Sequence, residues 1–277
     1  TNVDQGNTGN QGNSNQMFKP DTTIEEFIPF SSHVAPMVVK TTGGDCLMVW
    51  RLGGLPFVGR DEWEIEHRHN TFNRLLQTLR APDFVNVAFW VHDIRRRRRI
   101  RDRSKFRQAF NQEMSDAYFE ALSSQKIMQN ELYLTMLYRP IVSGKRFVER
   151  SADIGQLQSQ QDQAVAKLQE LAGNLEAVLK EYAPTRLGMY EAPNGVIFSE
   201  VLEHFGYILN RVDEPVPVLK APVGRYLPVS WLMFSDKTGD FIVNTPTGEN
   251  HFGAILNIKE YSEATYPGIM NGLKYLD

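Results

Sequence analysis

Five consecutive arginines, Arg95, Arg96, Arg97, Arg98 and Arg99, are the residues of this chain best equipped for chemistry, and Arg101, Arg103, Lys105 and Arg107 follow closely. A guanidinium group grips carboxylates and phosphates through forked N–H donors, so the chemistry on offer is recognition of an anion. Between residues 93 and 107 only Asp93 and Asp102 oppose these nine cations, which leaves a local net charge of +7. The 277 residues together carry −3, so the remainder carries −10. An acidic body with one basic knob points to a local anionic partner, not to a protein that coats nucleic acid. Three uses of the run stay open. It could be a solvated face partly paired to Asp93, Asp102 or Glu113. It could dock an acidic protein surface or anionic lipid headgroups. It could touch nucleic acid, although Trp90 and Phe106 only flank the run and do not interleave with it as a base-stacking platform requires. Arg95, Arg96, Arg97, Arg98, Arg99, Arg101 and Arg103 are thus the candidate partner-docking residues.

Other candidates fail on spacing. Nucleotide hydrolysis by a phosphate-binding loop needs G-x-x-x-x-G-K-[ST], because backbone amides cradle the phosphates and lysine reaches them. The nearest match is Ser143-Gly144-Lys145, but Arg139 holds the first glycine position and Arg146 the position of the Mg²⁺-binding hydroxyl. Glu64, Glu66, His67 and His69 suggest a metal site. On a helix, however, residues two apart point about 200° from one another, so His67 and His69 cannot share an ion. Glu66 with His69, or Glu62 with Glu66, share a face but fall short of a ligand set. Cys46 lies mid-strand with no basic neighbour to lower its pKa and reads as a buried structural thiol. As the single cysteine it excludes an internal disulfide, which fits a reducing compartment. No G-x-S-x-G occurs, and no carboxylate pair has the spacing of an acid–base couple. Catalytic, cofactor-binding and metal-ligating residues are therefore expected to be absent. An enzyme assembled from scattered residues would need a pocket of converging, pKa-shifted groups to support it.

The arginines need a scaffold, and the hydrophobic pattern supplies one. Two β-rich runs, 34–41 and 46–52, flank Thr42-Gly43-Gly44-Asp45 and predict a hairpin. Residues 63–79 repeat apolar side chains at helical spacing (Ile65, Phe72, Leu75, Leu76, Leu79), with Asp61 as the candidate N-cap and Pro82 beyond the end. Residues 84–94 alternate as a buried strand that runs into the arginines. Side chains alternate across a strand, so the run should leave the sheet as an exposed strand end, a loop or a first helical turn. A helix is expected over 104–130, a strand over 131–139, and a long helix over 151–182 lying across a sheet. That helix would be about 48 Å long. A short strand at 186–191, a helix at 196–210, a proline-rich excursion at 214–228, strands at 240–244 and 252–260, and a helix from Gly268 complete the order. Phe18, Ile24, Phe27, Ile28 and Phe30 form either a docking patch or the seal of a sheet edge.

These elements make an α+β fold, with mixed or antiparallel sheets, hairpins and covering helices, and one long helix near 151–182. Residues 1–16 are nearly all polar and read as a flexible leader, with Met17 a candidate start. Residues 17–150 and 151–277 form two successive α/β parts. No apolar run approaches the roughly 20 residues of a spanning helix. A cytoplasmic location, peripheral to a membrane at most, is expected.

The segments FIPFSSHVAPMVVKTTGGDCLMVWRLGGLPFVGR, EIEHRHNTFNRLLQTLRAPDFVNVAFWVHDIRRRRR, QNELYLTMLYRP and GDFIVNTPTGENHFGAILNIKEY occur in this order. In them the chain resembles the N-terminal domain of the conjugal-transfer ATPase family of type IV secretion systems, from about Phe27 to Asp277. The resemblance implies a non-catalytic docking and oligomerisation domain, cut before the ATPase domain. The full-length protein would energise conjugative DNA or effector transport and pilus assembly at the inner membrane. Its implied partners are inner-membrane components of the machine and other copies of itself. ATP and Mg²⁺ are expected only in the missing C-terminal domain. The alternatives are a nucleic-acid-binding module or a stand-alone scaffold of the transfer apparatus.

Overall fold

The computed structural model describes residues 24–54, 59–78, 84, 86–97, 105–123, 128–140, 154–235, 240–256, 260, 264 and 266–268. The 1–16 leader, Ser143-Gly144-Lys145, the boundary at 150 and the helix expected beyond Gly268 lie outside them. The described fold is α+β, and every strand pair in it is antiparallel.

The main sheet begins as a meander of β1 (Phe30–Ala35), β2 (Val38–Thr41) and β3 (Cys46–Leu52). The single run expected over 34–41 is therefore two strands. Pro36 has no N–H for a ladder, and the chain reverses there, pairing Ala35 with Val38. The expected hairpin between β2 and β3 is present. Gly44 supplies its left-handed residue, φ +86°. The Thr41 hydroxyl accepts from the Asp45 N–H at 3.0 Å. After α1 (Glu62–Thr78), the long strands β4 (Val87–Arg97) and β5 (Met128–Tyr138) complete the sheet in the order β1-β2-β3-β5-β4. They are joined through α2 (Ala109–Ser123). The short strand β6 (Thr185–Arg186) also pairs with β3.

Period-two alternation gives the sheet two apolar faces. Val39, Leu47 and Val49 point one way, with Ile94, Tyr133 and Leu137 beside them. Val38, Cys46, Met48, Trp50 and Met136 point the other way. The second face is covered by α3 (Ile154–Leu179), the expected long helix. Its Ala164, Leu168, Leu171, Ala172, Leu175 and Leu179 are buried. At 26 residues it is about 39 Å long. Leu157 and Val178, near its ends, are exposed. Glu176 latches α3 to the sheet. It accepts from the Trp50 indole N–H at 2.6 Å and takes both N–H prongs of Arg186, one of them at 2.8 Å. Those bonds, led by the one from Arg186, hold its carboxyl below the usual range. Cys46 is buried, and burial pushes its thiol pKa up.

The first face is covered by α4 (Glu200–Asn210), through Val201, Leu202 and Phe205. This helix starts later than the sequence pattern suggested. Ile197–Ser199 is a strand, β8, paired with β7 (Met189–Glu191), so the stretch expected as one strand over 186–191 is shared between two sheets. Ser199 ends β8 and caps α4. Its hydroxyl accepts from the Leu202 N–H at 3.1 Å and lies 2.6 Å from His33 Nε2. His33 Nδ1 is 3.2 Å from the Ala35 carbonyl, so Nδ1 carries the proton and the serine donates to Nε2.

The proline-rich stretch is less superficial than expected, because Val223 and Leu227 are buried in the first core. Asn210 ties it to the end of α4, donating to the Leu227 carbonyl at 2.7 Å and accepting from the Val229 and Ser230 N–H groups. A separate three-stranded sheet follows, ordered β11-β10-β9, from β9 (Trp231–Phe234), β10 (Phe241–Asn244) and β11 (Asn250–Gly253). The sequence pattern missed β9 and placed β11 two residues late. At the start of the described chain, Ile28 and Phe30 are buried while Phe27 is 72% exposed, so the expected apolar cluster divides between seal and surface. Phe18 lies outside the described residues.

Candidate docking site

Among the described residues, the strand that carries the arginines is an edge strand. It pairs with β5 along its whole length, from Val87↔Tyr138 to Arg97↔Met128. The other edge of β5 is taken by β3 only from Leu132 to Tyr138. The ribbon of residues 94–97 and 128–131 therefore overhangs the sheet. Arg95, Arg96 and Arg97 lie in this overhang, opposite Asn130, Gln129 and Met128. The first three arginines of the run, Arg95 to Arg97, still belong to the strand and form its end. Arg98, Arg99, Arg101 and Arg103 lie outside the described residues. The strand is also less buried than its pattern suggested, since Val91 is exposed while Ile94 is buried.

Alternation then separates the arginines. Arg95 is exposed on one face. Arg96 turns to the other face with His92 and Ile94, where α4 packs. Its Nε lies 3.2 Å from Glu131 Oε2, and its Nη1 donates to Asp213 Oδ1 at 3.0 Å. The guanidinium carbon sits 3.7 Å from the centre of the Tyr207 ring. Its side chain is only 18% exposed, so the fold itself occupies the Arg96 guanidinium. Neither partner is one of the acids suggested by sequence proximity. Asp213 is 79% exposed, so its arm is screened; Glu131 and the tyrosine face hold the group.

Beneath Arg96 lies a buried polar cluster. Tyr133 donates to Glu131 Oε2 at 2.8 Å. Burial first, and then this bond, push its phenol up to about 12. The Tyr133 ring lies 4.1 Å from that of His204 on α4, and His204 Nε2 is 3.2 Å from His92 Nδ1. One imidazole must donate and the other accept, so the two cannot both be charged. Burial, then His92 and Arg96, pull the His204 pKa down to about 3. The cluster joins α4 to the overhanging ribbon. It was not legible in the sequence, because Arg96 and His92 share a strand face but His204 and Asp213 are more than a hundred residues away.

The remaining candidates stay apart. His67 and His69 lie on α1, and among the described residues no group of three His, Cys, Asp or Glu side chains could hold a metal ion. Among the described residues no helix is long and apolar enough to cross a membrane.

Residues 37–145 match the family model for the type IV secretion system ATPase VirB4/TrbE, N-terminal domain. Residues 185–277 match the model of the CagE, TrbE, VirB family, component of type IV transporter system. The chain belongs to the VirB4/TrbE family of type IV secretion systems. The type IV secretion system protein virB4 of Brucella suis biovar 1 (strain 1330) is 30% identical over 278 residues, covering 97% of this chain and 33% of its own length. Type IV secretion system protein PtlC of Bordetella pertussis (strain Tohama I / ATCC BAA-589 / NCTC 13251) is 29% identical over 93% of this chain and 31% of its own length. The virB4 protein of Bartonella henselae (strain ATCC 49882 / DSM 28221 / CCUG 30454 / Houston 1) is 27% identical over 93% of this chain and 32% of its own length. The chain thus spans about a third of the length of the curated relatives it matches. The arginine strand and the hairpin before it fall within the first matched segment; α4 and the small sheet fall within the second.

Proposed function

We propose that this chain is the docking and oligomerisation part of a type IV secretion ATPase that energises conjugative DNA or effector transport and pilus assembly. It holds the motor at the cytoplasmic face of the inner membrane, against inner-membrane components of the machine and neighbouring copies. ATP and Mg²⁺ belong to a catalytic domain elsewhere in the full-length protein. The observation that supports the reading is the overhanging ribbon of β4 and β5, in which Arg95, Arg96 and Arg97 lie beyond the pairing of β5 with β3. The docking residues are Arg95, Arg97, Arg98, Arg99, Arg101 and Arg103, with Arg96 withdrawn as an internal brace. Positive charge on an edge strand also discourages strand addition by other chains, so a recognition role has to be tested against that plainer one.

The test is co-sedimentation of the protein with inner-membrane vesicles bearing the secretion components. The fourfold variant Arg95→Glu, Arg97→Glu, Arg98→Glu and Arg99→Glu should bind at least about tenfold more weakly, about 1.4 kcal/mol, with an unchanged circular-dichroism spectrum. Wild-type binding by that variant would remove the arginines from the interface. Tight binding to DNA that falls steeply with salt would favour the nucleic-acid reading instead.

A further inference from the structure

The small sheet repeats the opening of the large one. The β2–β3 hairpin reads MVVKTTGGDC and the β10–β11 hairpin reads FIVNTPTGEN. Val39↔Leu47 and Lys40↔Cys46 in the first correspond to Val243↔His251 and Asn244↔Asn250 in the second, so one constant shift carries the first hairpin onto the second. The turns share three hydrogen bonds. Thr41 N–H donates to the Asp45 carbonyl at 2.8 Å, and Thr245 N–H to that of Glu249 at 2.9 Å. Gly44 N–H donates to the Thr41 carbonyl at 3.1 Å, and Gly248 N–H to that of Thr245 at 2.9 Å. Both threonine hydroxyls accept at 3.0 Å from the N–H four residues on. Both threonines are buried, and the two glycines have φ +86° and +83°. Each hairpin is preceded by one antiparallel strand, β1 or β9, although the link from β9 is longer.

The two meanders differ in what covers them. In the first, β5 lies on the outer edge of β3 and α3 packs on the face that carries Val38 and Met48. In the second, β11 has no strand on its outer edge among the described residues. Met48 is 1% exposed, whereas Phe252 in the equivalent position is 79% exposed. Trp231 and Met233 join Phe252 and Ile242 on the same bare face. A contiguous apolar face beside a strand edge is an interaction surface.

We propose that β9–β11 is the opening meander of a second unit built on the plan of the first. The face of Trp231, Met233, Ile242 and Phe252 seats a helix as α3 is seated, and β11 takes an antiparallel strand as β3 takes β5. Both come from polypeptide beyond residue 277 in the full-length protein. Two observations favour that source over a second copy. In the first unit the covering strand and helix both follow β3 in the same chain. The relatives are about three times as long as this chain, which leaves ample polypeptide to complete a second unit. The proposal does not depend on the arginine ribbon.

The test compares amide hydrogen exchange of residues 250–256 in the 277-residue chain and in the full-length protein from its native gene. It repeats the comparison of melting temperatures with Phe252→Asp. The expected result is exchange at least about tenfold slower in the full-length protein, with Phe252→Asp lowering the melting temperature there and leaving that of the 277-residue chain unchanged. If the variant does not fold, the wild-type exchange comparison decides alone. Equal exchange in the two proteins would overturn the proposal. Protection already present in the 277-residue chain and rising with its concentration would assign the face to a second copy, and would overturn it too.

Discussion

Arg96 and His204 show how far a residue's role depends on what faces it. By composition Arg96 is one of five equivalent cations. By position it is an internal brace whose loss would strand Glu131 half-buried. Arg96→Met should therefore lower unfolding stability by about 2 kcal/mol, as measured by urea denaturation. His204 makes the fold sensitive to acid. Its pKa is about 3 in the folded chain against 6.5 for the free side chain. Protons therefore bind the unfolded state preferentially, and its contribution, complete above pH 6.5, is lost as pH falls toward 3. His92 and His33 are pulled down by burial in the same direction. Glu176 is also depressed, but from 4.5, so its loss begins lower. The fall in melting temperature between pH 7 and pH 5 should accordingly be shallower in His204→Phe. An equal slope would place the acid sensitivity elsewhere.

Among elements, what could be read from the sequence was what period and turn chemistry announce. The β2–β3 hairpin, α1, the long α3 and the strand that carries the arginines follow from alternation, helical periodicity and glycine placement. Other boundaries moved because a single residue serves two elements. Ser199 closes β8 and caps α4, and the pattern alone merged the two into one helix. Pro36 divided an apolar run into two strands. Ser199→Ala should cost about 1 kcal/mol through the lost cap, with a further loss from the unpaired His33 nitrogen, seen as a lower denaturant midpoint at unchanged m-value. Glu176→Ala removes the latch between Trp50 and Arg186. The expected signature is faster hydrogen exchange along α3, with β4 and β5 unaffected; uniform acceleration would show that the latch serves the whole fold. The repeated turn, TTGGD and TPTGE, was present in the sequence as a short echo. It became recognisable once the two hairpins showed the same register and hydrogen bonds.

For the whole molecule, charge and edges matter more than any single pocket. The main sheet is packed on both faces, and the ribbon that carries Arg95 to Arg97 overhangs it. The acidic remainder of the chain keeps that charge distinct, and raising the salt concentration should weaken an interaction that relies on it. The most direct measurement sets two variants side by side in one binding titration against inner-membrane vesicles carrying the secretion components. One is Arg96→Met; the other is the fourfold Glu variant that spares Arg96. Arg96→Met should lose stability but, at temperatures where it is folded, dock like the wild type. The fourfold Glu variant should stay folded and lose docking. Equal docking by both would contradict the claim that the arginine ribbon is the docking element.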